Sequence, residues 1–291
     1  MPDVLWLEAT LGPLAFPLDP AKRVFWGCLV SAALLASLAV SIEARRFDIR
    51  AQVKALFDRR YWLHASSAID VSLMFLNHFL RVLLLVPILG SHMAATLVVG
   101  RFLQRNLGDS PELDLPWLVI ATIYSVTIFV AQDLSRFLLH LAMHRCAPLW
   151  RFHRVHHSAP VLTPLTLFRV HPVEHGLYFL RSLAVFGLVS GTAIWLFGRD
   201  FAAFDILGVG LAGFLFNVAG ANLRHSHVWL TFGRLERWFV SPAQHQLHHS
   251  REHGHCNLGS ALAVWDRLAG TSTPAHGLGR RDRERLTFGY T

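Results

Sequence analysis

Apolar residues run along this chain in blocks rather than in stripes. The first covers residues 24–42 and closes at Glu43, Ala44, Arg45 and Arg46. It is long enough to cross a hydrocarbon core of ~30 Å. The second, 68–99, is long for one helix and short for two. Pro87 and Gly90 predict a break in it, giving one span and a partial segment. Asn77, His78 and Arg81 lie inside that block and must face protein or the interface. The linker 101–116 is polar. A third block, 117–139, leads to His140, and a fourth, 176–222, is interrupted only at Gly198, Arg199 and Asp200. The fourth reads as a hairpin of two spans. The pattern predicts an all-α, multi-pass transmembrane bundle of about four full spans. It divides into an N-terminal membrane region (1–116, two spans plus a partial segment), a region that carries the chemistry (117–275) and a charged tail (276–291).

Composition agrees. Of 291 residues, 53% are hydrophobic and 16% charged, against about 25% charged in soluble domains. Disordered, coiled-coil and collagen-like chains are excluded by the same numbers. The net charge of +8 would suggest nucleic acid in a soluble protein. Here Arg45, Arg46, Arg50, Lys54, Arg59 and Arg60 form the strongest basic block beside an apolar run, which places that side in the cytoplasm. No nucleic-acid partner is expected. Asp3, Glu8 and Asp19 argue against a signal peptide. Cys28, Cys146 and Cys256 form no disulfide framework. Only Lys22 and Lys54 are lysines, and this Arg-rich composition points to a bacterial inner membrane.

The chemistry lies in the 18 histidines. His140 and His144 stand four apart at the end of the third block, on one helix face. His153-Arg-Val-His156-His157 and His245-Gln-Leu-His248-His249 are both HxxHH, which gathers three imidazoles on a narrow face. With His225 these make nine, more than one metal takes, so two metals are expected. Neutral imidazole suits Fe, Zn, Cu and Ni. Carboxylate di-iron bundles use two ExxH motifs with two further Glu residues, a set that this chain lacks. Asp133, seven residues before His140, is placed either to orient a ligand ring or to pair with Arg136 or Arg145.

These boxes and their flanks resemble the fatty acid hydroxylase/sterol desaturase superfamily. The matching strings are Asp133…His140…His144-Arg145, Trp150-Arg-Phe-His153-Arg-Val-His156-His157-Ser158, Phe168-Arg-Val-His171-Pro172-Val-Glu174 and Pro242-Ala-Gln-His245-Gln-Leu-His248-His249-Ser250. A closing segment, Asn257-Leu-Gly259 then Trp265-Asp266-Arg267-Leu-Ala-Gly270-Thr271, matches too. The resemblance covers roughly residues 117–275. It implies a membrane-bound non-haem di-iron oxygenase with O2 as co-substrate, a lipid substrate entering from the bilayer, and an external cytochrome b5-like or ferredoxin-type electron donor. It implies a histidine-rich helical cap on the cytoplasmic side. The implied ligands are His140, His144, His153, His156, His157, His225, His245, His248 and His249. Some members carry another His where this chain has Ala221, for which His171 is the natural substitute. Asp133 and Glu174 are the carboxylates expected to serve the site. Hydroxylation and desaturation both remain open.

Two other classes compete. His171-Pro-Val-Glu174-His175 spells HxxEH, an inverted zinc-peptidase motif. Pro172 fits only a helix's first turn, which leaves His171 at a cap. A metal transporter would place ligands near the bilayer midplane. His175, His227, His253 and His255 read as helix-cap or interfacial residues.

Overall fold

Gly108, Pro116, Pro172 and Gly198 set limits of three of the long helices, and the apolar blocks decide which can lie in a membrane. A computed structural model describes residues 2–198, 205–206 and 209–290. Its helices are α1 (Pro2–Leu11), α2 (Trp26–Ala44), α3 (Ile49–Leu56), α4 (Arg59–Trp62), α5 (Ala65–Leu80), α6 (Val86–Leu89), α7 (His92–Leu107), α8 (Trp117–Arg145), α9 (Ala147–His157), α10 (Pro172–Phe197), α11 (Leu211–Val218), α12 (Pro242–His249), α13 (Val264–Ala269) and α14 (Arg280–Arg283). Among the described residues, one two-residue antiparallel ladder, Asp205–Ile206 with Val209–Gly210, is the exception to an all-α architecture. Among them, four stretches are long and apolar enough to cross a membrane: Trp26–Ala44, Ala65–Leu107, Trp117–Arg145 and Pro172–Phe197.

Two sequence expectations change. The block 68–99 extends to Ala65–Leu107, and Gly90 (φ 86°) interrupts it without turning it back. His92 meets Ser182, Ala95 meets Gly187 and Trp195 donates to the Gly108 carbonyl, so residue numbers rise together along α7 and α10. The two helices run parallel, and the expected partial segment continues the same passage. Second, the block 176–222 is not a hairpin of two spans among the described residues. Its first arm is α10, but the helix after it, α11, has eight residues, too short to span. The interruption at Arg199 and Asp200 lies outside the described residues.

Close approach of α7 to α10 depends on small residues. A Cβ added at Gly191 would stand 2.7 Å from the Val99 Cβ and 2.8 Å from the Thr96 carbonyl, and one at Gly187 would stand 3.2 Å from the Ala95 Cβ. Glycines four apart let two helices approach backbone to backbone. Gly191→Leu is expected to force them apart and cost ~1–3 kcal/mol. Thermal unfolding in detergent checks this, and an unshifted midpoint would contradict the packing.

The third helix of this layer, α8, runs the other way. Ile120 packs with Ala193 and Phe197, Tyr124 bonds Ser190 at 2.9 Å, and Arg181 donates to Gln132 Oε1 at 2.8 Å. The C-terminal end of α8 and the start of α10 therefore meet at one end of the bundle, where the histidines are. Helix α2 packs differently. Its Ala32 and Ala36 meet Leu223 and Val228, beside the histidine-bearing layer. Trp26, Val30, Leu34, Leu38 and Ile42 form an exposed stripe along its other side.

Candidate metal centre

Three helices and one turn bring the histidines together. His140 and His144 lie on the last turns of α8. Pro148 in the first turn of α9 starts the helix that carries His153, His156 and His157. Ser241 caps α12, accepting from Gln244 N, while the Gln244 side chain accepts from Ser241 N. That reciprocal box fixes the helix bearing His245, His248 and His249. His225 ends a 3-10 turn (Ala221–Arg224) begun at Gly220, whose φ of 99° favours glycine.

The nine rings form two buried groups. His140, His144, His153, His157 and His248 make one; His156, His225, His245 and His249 make the other. Within each group the ligand atoms lie within 4.8 Å of one another. Burial holds the His153 and His156 imidazoles down to about 3. Burial, reinforced by their neighbours, also pushes His157, His225, His245, His248 and His249 well below the ordinary value. The rings are therefore neutral, the form that binds metal.

The tautomers follow from what stands behind each ring. His140 Nδ1–H donates to the Leu258 carbonyl at 2.6 Å, and His153 Nδ1–H donates to Glu174 Oε1 at 2.8 Å. Each Nε2 then carries a lone pair, and the two face each other at 3.0 Å. No proton lies between them, so the pair is repulsive unless a cation shares it. His248 Nδ1–H donates to the Cys256 carbonyl at 2.8 Å, and its buried Nε2 has no partner among the described residues. In the second group His156 Nδ1–H donates to the Arg169 carbonyl at 3.2 Å, so its Nε2 lone pair faces His225 Nε2 at 3.3 Å. His245 and His249 Nε2 stand 3.1 Å from that same His225 atom. One nitrogen holds at most one proton, yet three imidazoles converge on it. This donor set fits a metal in each group.

Carboxylates act one layer further out. Glu174 orients His153, and its other oxygen is buried without a partner among the described residues. Asp133 reaches no histidine. It accepts from Ala261 N at 2.8 Å, Leu262 N at 3.0 Å and Trp265 Nε1 at 2.9 Å. Asp266 accepts from Leu258 N at 2.7 Å and Gly259 N at 2.8 Å. The two aspartates hold the closing segment whose Leu258 and Cys256 carbonyls orient His140 and His248. Neither Asp133–Arg136 nor Asp133–Arg145 forms an ion pair. Glu174→Gln is expected to weaken metal retention ~10–100-fold, the usual cost of losing a group that orients a ligand. Metal titration of the apoprotein measures it, and unchanged affinity would remove Glu174 from this role.

The model for the family described as fatty acid hydroxylase matches residues 125–271, just over half of the chain. The chain belongs to the fatty acid hydroxylase family. It is 28% identical over 145 residues to the ornithine lipid hydroxylase OlsE of Rhizobium tropici, covering 49% of this chain and 39% of that protein. It is 26% identical over 182 residues to the alkylglycerol monooxygenase of Danio rerio and 25% over 181 residues to that of Homo sapiens. Those alignments cover 62% and 61% of this chain and 35% of each relative. The chain thus spans little more than a third of the length of the curated relatives it matches. No solved structure matches it.

All nine grouped histidines, Asp133, Glu174 and Asp266 fall inside the family match. His171 falls inside it too but stands outside both groups: it caps α10, accepting from Val173 N at 3.1 Å, with its ring against Phe152. His175 joins neither group, so the HxxEH string does not assemble as a ligand set. His227 stacks on Tyr61 at 4.1 Å, away from the rings.

Sequence reading missed Asp70 and Arg169, a buried pair at 2.6 Å. Arg169 also donates to the Ser66 carbonyl and to Ser158 Oγ, and its own carbonyl holds His156. A lone acid inside an otherwise apolar run was the available signal. Glu236 was missed as well: it accepts from Ser241 Oγ, Ala275 N and His276 Nδ1. No motif marks it.

Proposed function

We propose that this chain is a membrane-bound non-haem di-iron oxygenase that hydroxylates, or desaturates, a C–H bond of a lipid. The observation that carries the reading is the convergence of nine buried imidazoles in two groups of five and four, each offering a ring nitrogen within 4.8 Å of the others in its group. Membership of the fatty acid hydroxylase family supports it. Lipid-acting relatives, an ornithine lipid hydroxylase and alkylglycerol monooxygenases, point to an O2-dependent lipid oxidation here too. Bound iron would supply the O2 activation that an unactivated C–H bond requires.

The chain's own residues bind, orient and enclose. His140, His144, His153, His157 and His248 hold one iron; His156, His225, His245 and His249 hold the other. Glu174 and the carbonyls of Leu258, Cys256 and Arg169 fix the rings. A cavity of about 420 Å³ opens against His140, His153, His156, His225 and His245 and gives substrate its place. The lipid enters from the bilayer, and electrons come from a cytochrome b5-like or ferredoxin-type donor. The basic segment 45–60 lies on the same side as the histidines, since Ala55 accepts from His227. That arrangement favours a cytoplasmic site, in a bacterial inner membrane.

Metal content tests the reading. Protein purified gently from iron-supplemented cells is expected to carry two irons per chain. A single zinc that iron reconstitution cannot replace would overturn the proposal.

A further inference from the structure

The 420 Å³ cavity has a wall that metal binding does not explain. Besides the histidines it is lined by Arg23, Arg81, Arg136, Arg181 and Arg224. Among the described residues, none of the five pairs with a carboxylate at ion-pair distance. Among the described residues, Glu174 is the single carboxylate in the lining, and one of its oxygens is committed to His153. Arg181 spends one nitrogen on Gln132 and Ser135, and Arg224 spends one on the Gly259 carbonyl. The Nε–H of each is buried without an acceptor among the described residues. Burial and the nearby Arg224 and Arg136 push Arg23 down to about 9, so it stays charged at neutral pH.

Gathering unpaired guanidinium groups beside a site for two cations is costly unless an anion enters. Guanidinium also matches phosphate and carboxylate in shape, presenting paired donors to paired oxygens. Tyr178, Ser182 and Ser260 add hydroxyls to the same wall. Arg23, Arg136, Ser182 and Ser260 also line a second cavity of about 570 Å³, walled by Ile128, Phe129, Phe186, Leu211 and Phe216. The charged chamber thus adjoins a second one, in which these apolar side chains share the wall with Gln132, Asp133 and Asn217.

We propose that the arginine chamber receives the anionic head group of the substrate lipid, a phosphate or carboxylate, while its chain lies in the 570 Å³ cavity. This names the substrate class within the function proposed above and rests on that reading.

The test is equilibrium binding to the full chain in a neutral maltoside detergent, with metal content measured on the same sample. Hexadecyl phosphate and palmitate are compared with the uncharged hexadecylglycerol ether and with inorganic phosphate. The two anionic amphiphiles are expected to bind at least ~10-fold tighter than the neutral ether, with affinity falling as salt rises. Arg23→Gln/Arg136→Gln is expected to remove that preference, bringing the anionic amphiphiles down to the affinity of the ether. Arg136→Lys, with the wild-type salt dependence, serves if the double variant does not fold: it keeps the charge and loses the fork, so phosphate affinity falls while salt sensitivity stays. Equal binding of charged and neutral amphiphiles would overturn the proposal. Inorganic phosphate binding as tightly as hexadecyl phosphate would overturn it too, by assigning the chamber to a free anion. Anion preference in protein that takes up no iron would sink the oxygenase reading and leave the anion site standing.

Discussion

His225→Ala is expected to empty one metal position and abolish lipid oxidation, while the protein stays membrane-inserted. His225 Nε2 is the atom around which His156, His245 and His249 gather, at 3.1–3.3 Å. Removing it leaves three donors and a hole where the fourth stood. Loss of a mere orienting group weakens metal ~10–100-fold; loss of the central ligand costs more. His153→Ala is the matching change in the other group, since its Nε2 faces both His140 and His157. Each variant should fall from two irons toward one, measured by elemental analysis, and neither should turn over. The two losses should fall in different groups, so a chain carrying both changes should hold no iron. Full iron content with activity in either single variant would break the proposed centre.

The second large effect is expected one layer behind the rings. Asp70 and Arg169 are 1% and 3% exposed along their side chains and meet at 2.6 Å. Thr166 Oγ1 also donates to Asp70. Asp70→Asn leaves a buried guanidinium without its counter-charge, which costs ~3–5 kcal/mol. The damage should also reach the metals, because the Arg169 carbonyl accepts from His156 and fixes its tautomer. Thermal unfolding and iron content should therefore fall together in Asp70→Asn. Removing both partners, as Asp70→Asn/Arg169→Gln, should restore part of the stability but not the metal. Unchanged unfolding in the single variant would show that the pair carries little.

How much of this was legible in the sequence depends on the range of the interaction. The histidines were legible because i, i+3 and i+4 spacing is a local property of a helix, and all nine appear in the two groups. The spans in α2, α8 and α10 were legible because apolar length is local too. The failures are non-local. Nothing in 68–99 says that its two parts run parallel to α10; that follows from Gly187 and Gly191 facing Ala95 and Val99. The second arm of the 176–222 hairpin looked apolar enough to span. Its described residues instead form the short ladder, α11 and the turn that delivers His225. Asp133 was singled out as a partner for a ring, from its angular position on α8. Its oxygens instead meet a segment more than a hundred residues later in the chain, which helix spacing cannot reveal.

The segment from Cys256 to Thr273 is tied to α8 by Asp133 and to α12 by Asn257, is braced internally by Asp266, and presses two carbonyls onto His140 and His248. Ion binding at the proposed centre would therefore be coupled to the order of this segment. A ligand at ~100 times its dissociation constant adds ~2.7 kcal/mol to the state it prefers, and shifts of ~1–2 kcal/mol change cellular abundance several-fold. Iron supply should thus govern how long the polypeptide survives as well as how fast it works. In starved cells this loop is where proteases should cut first, and feeding iron should lengthen the half-life without any change in synthesis.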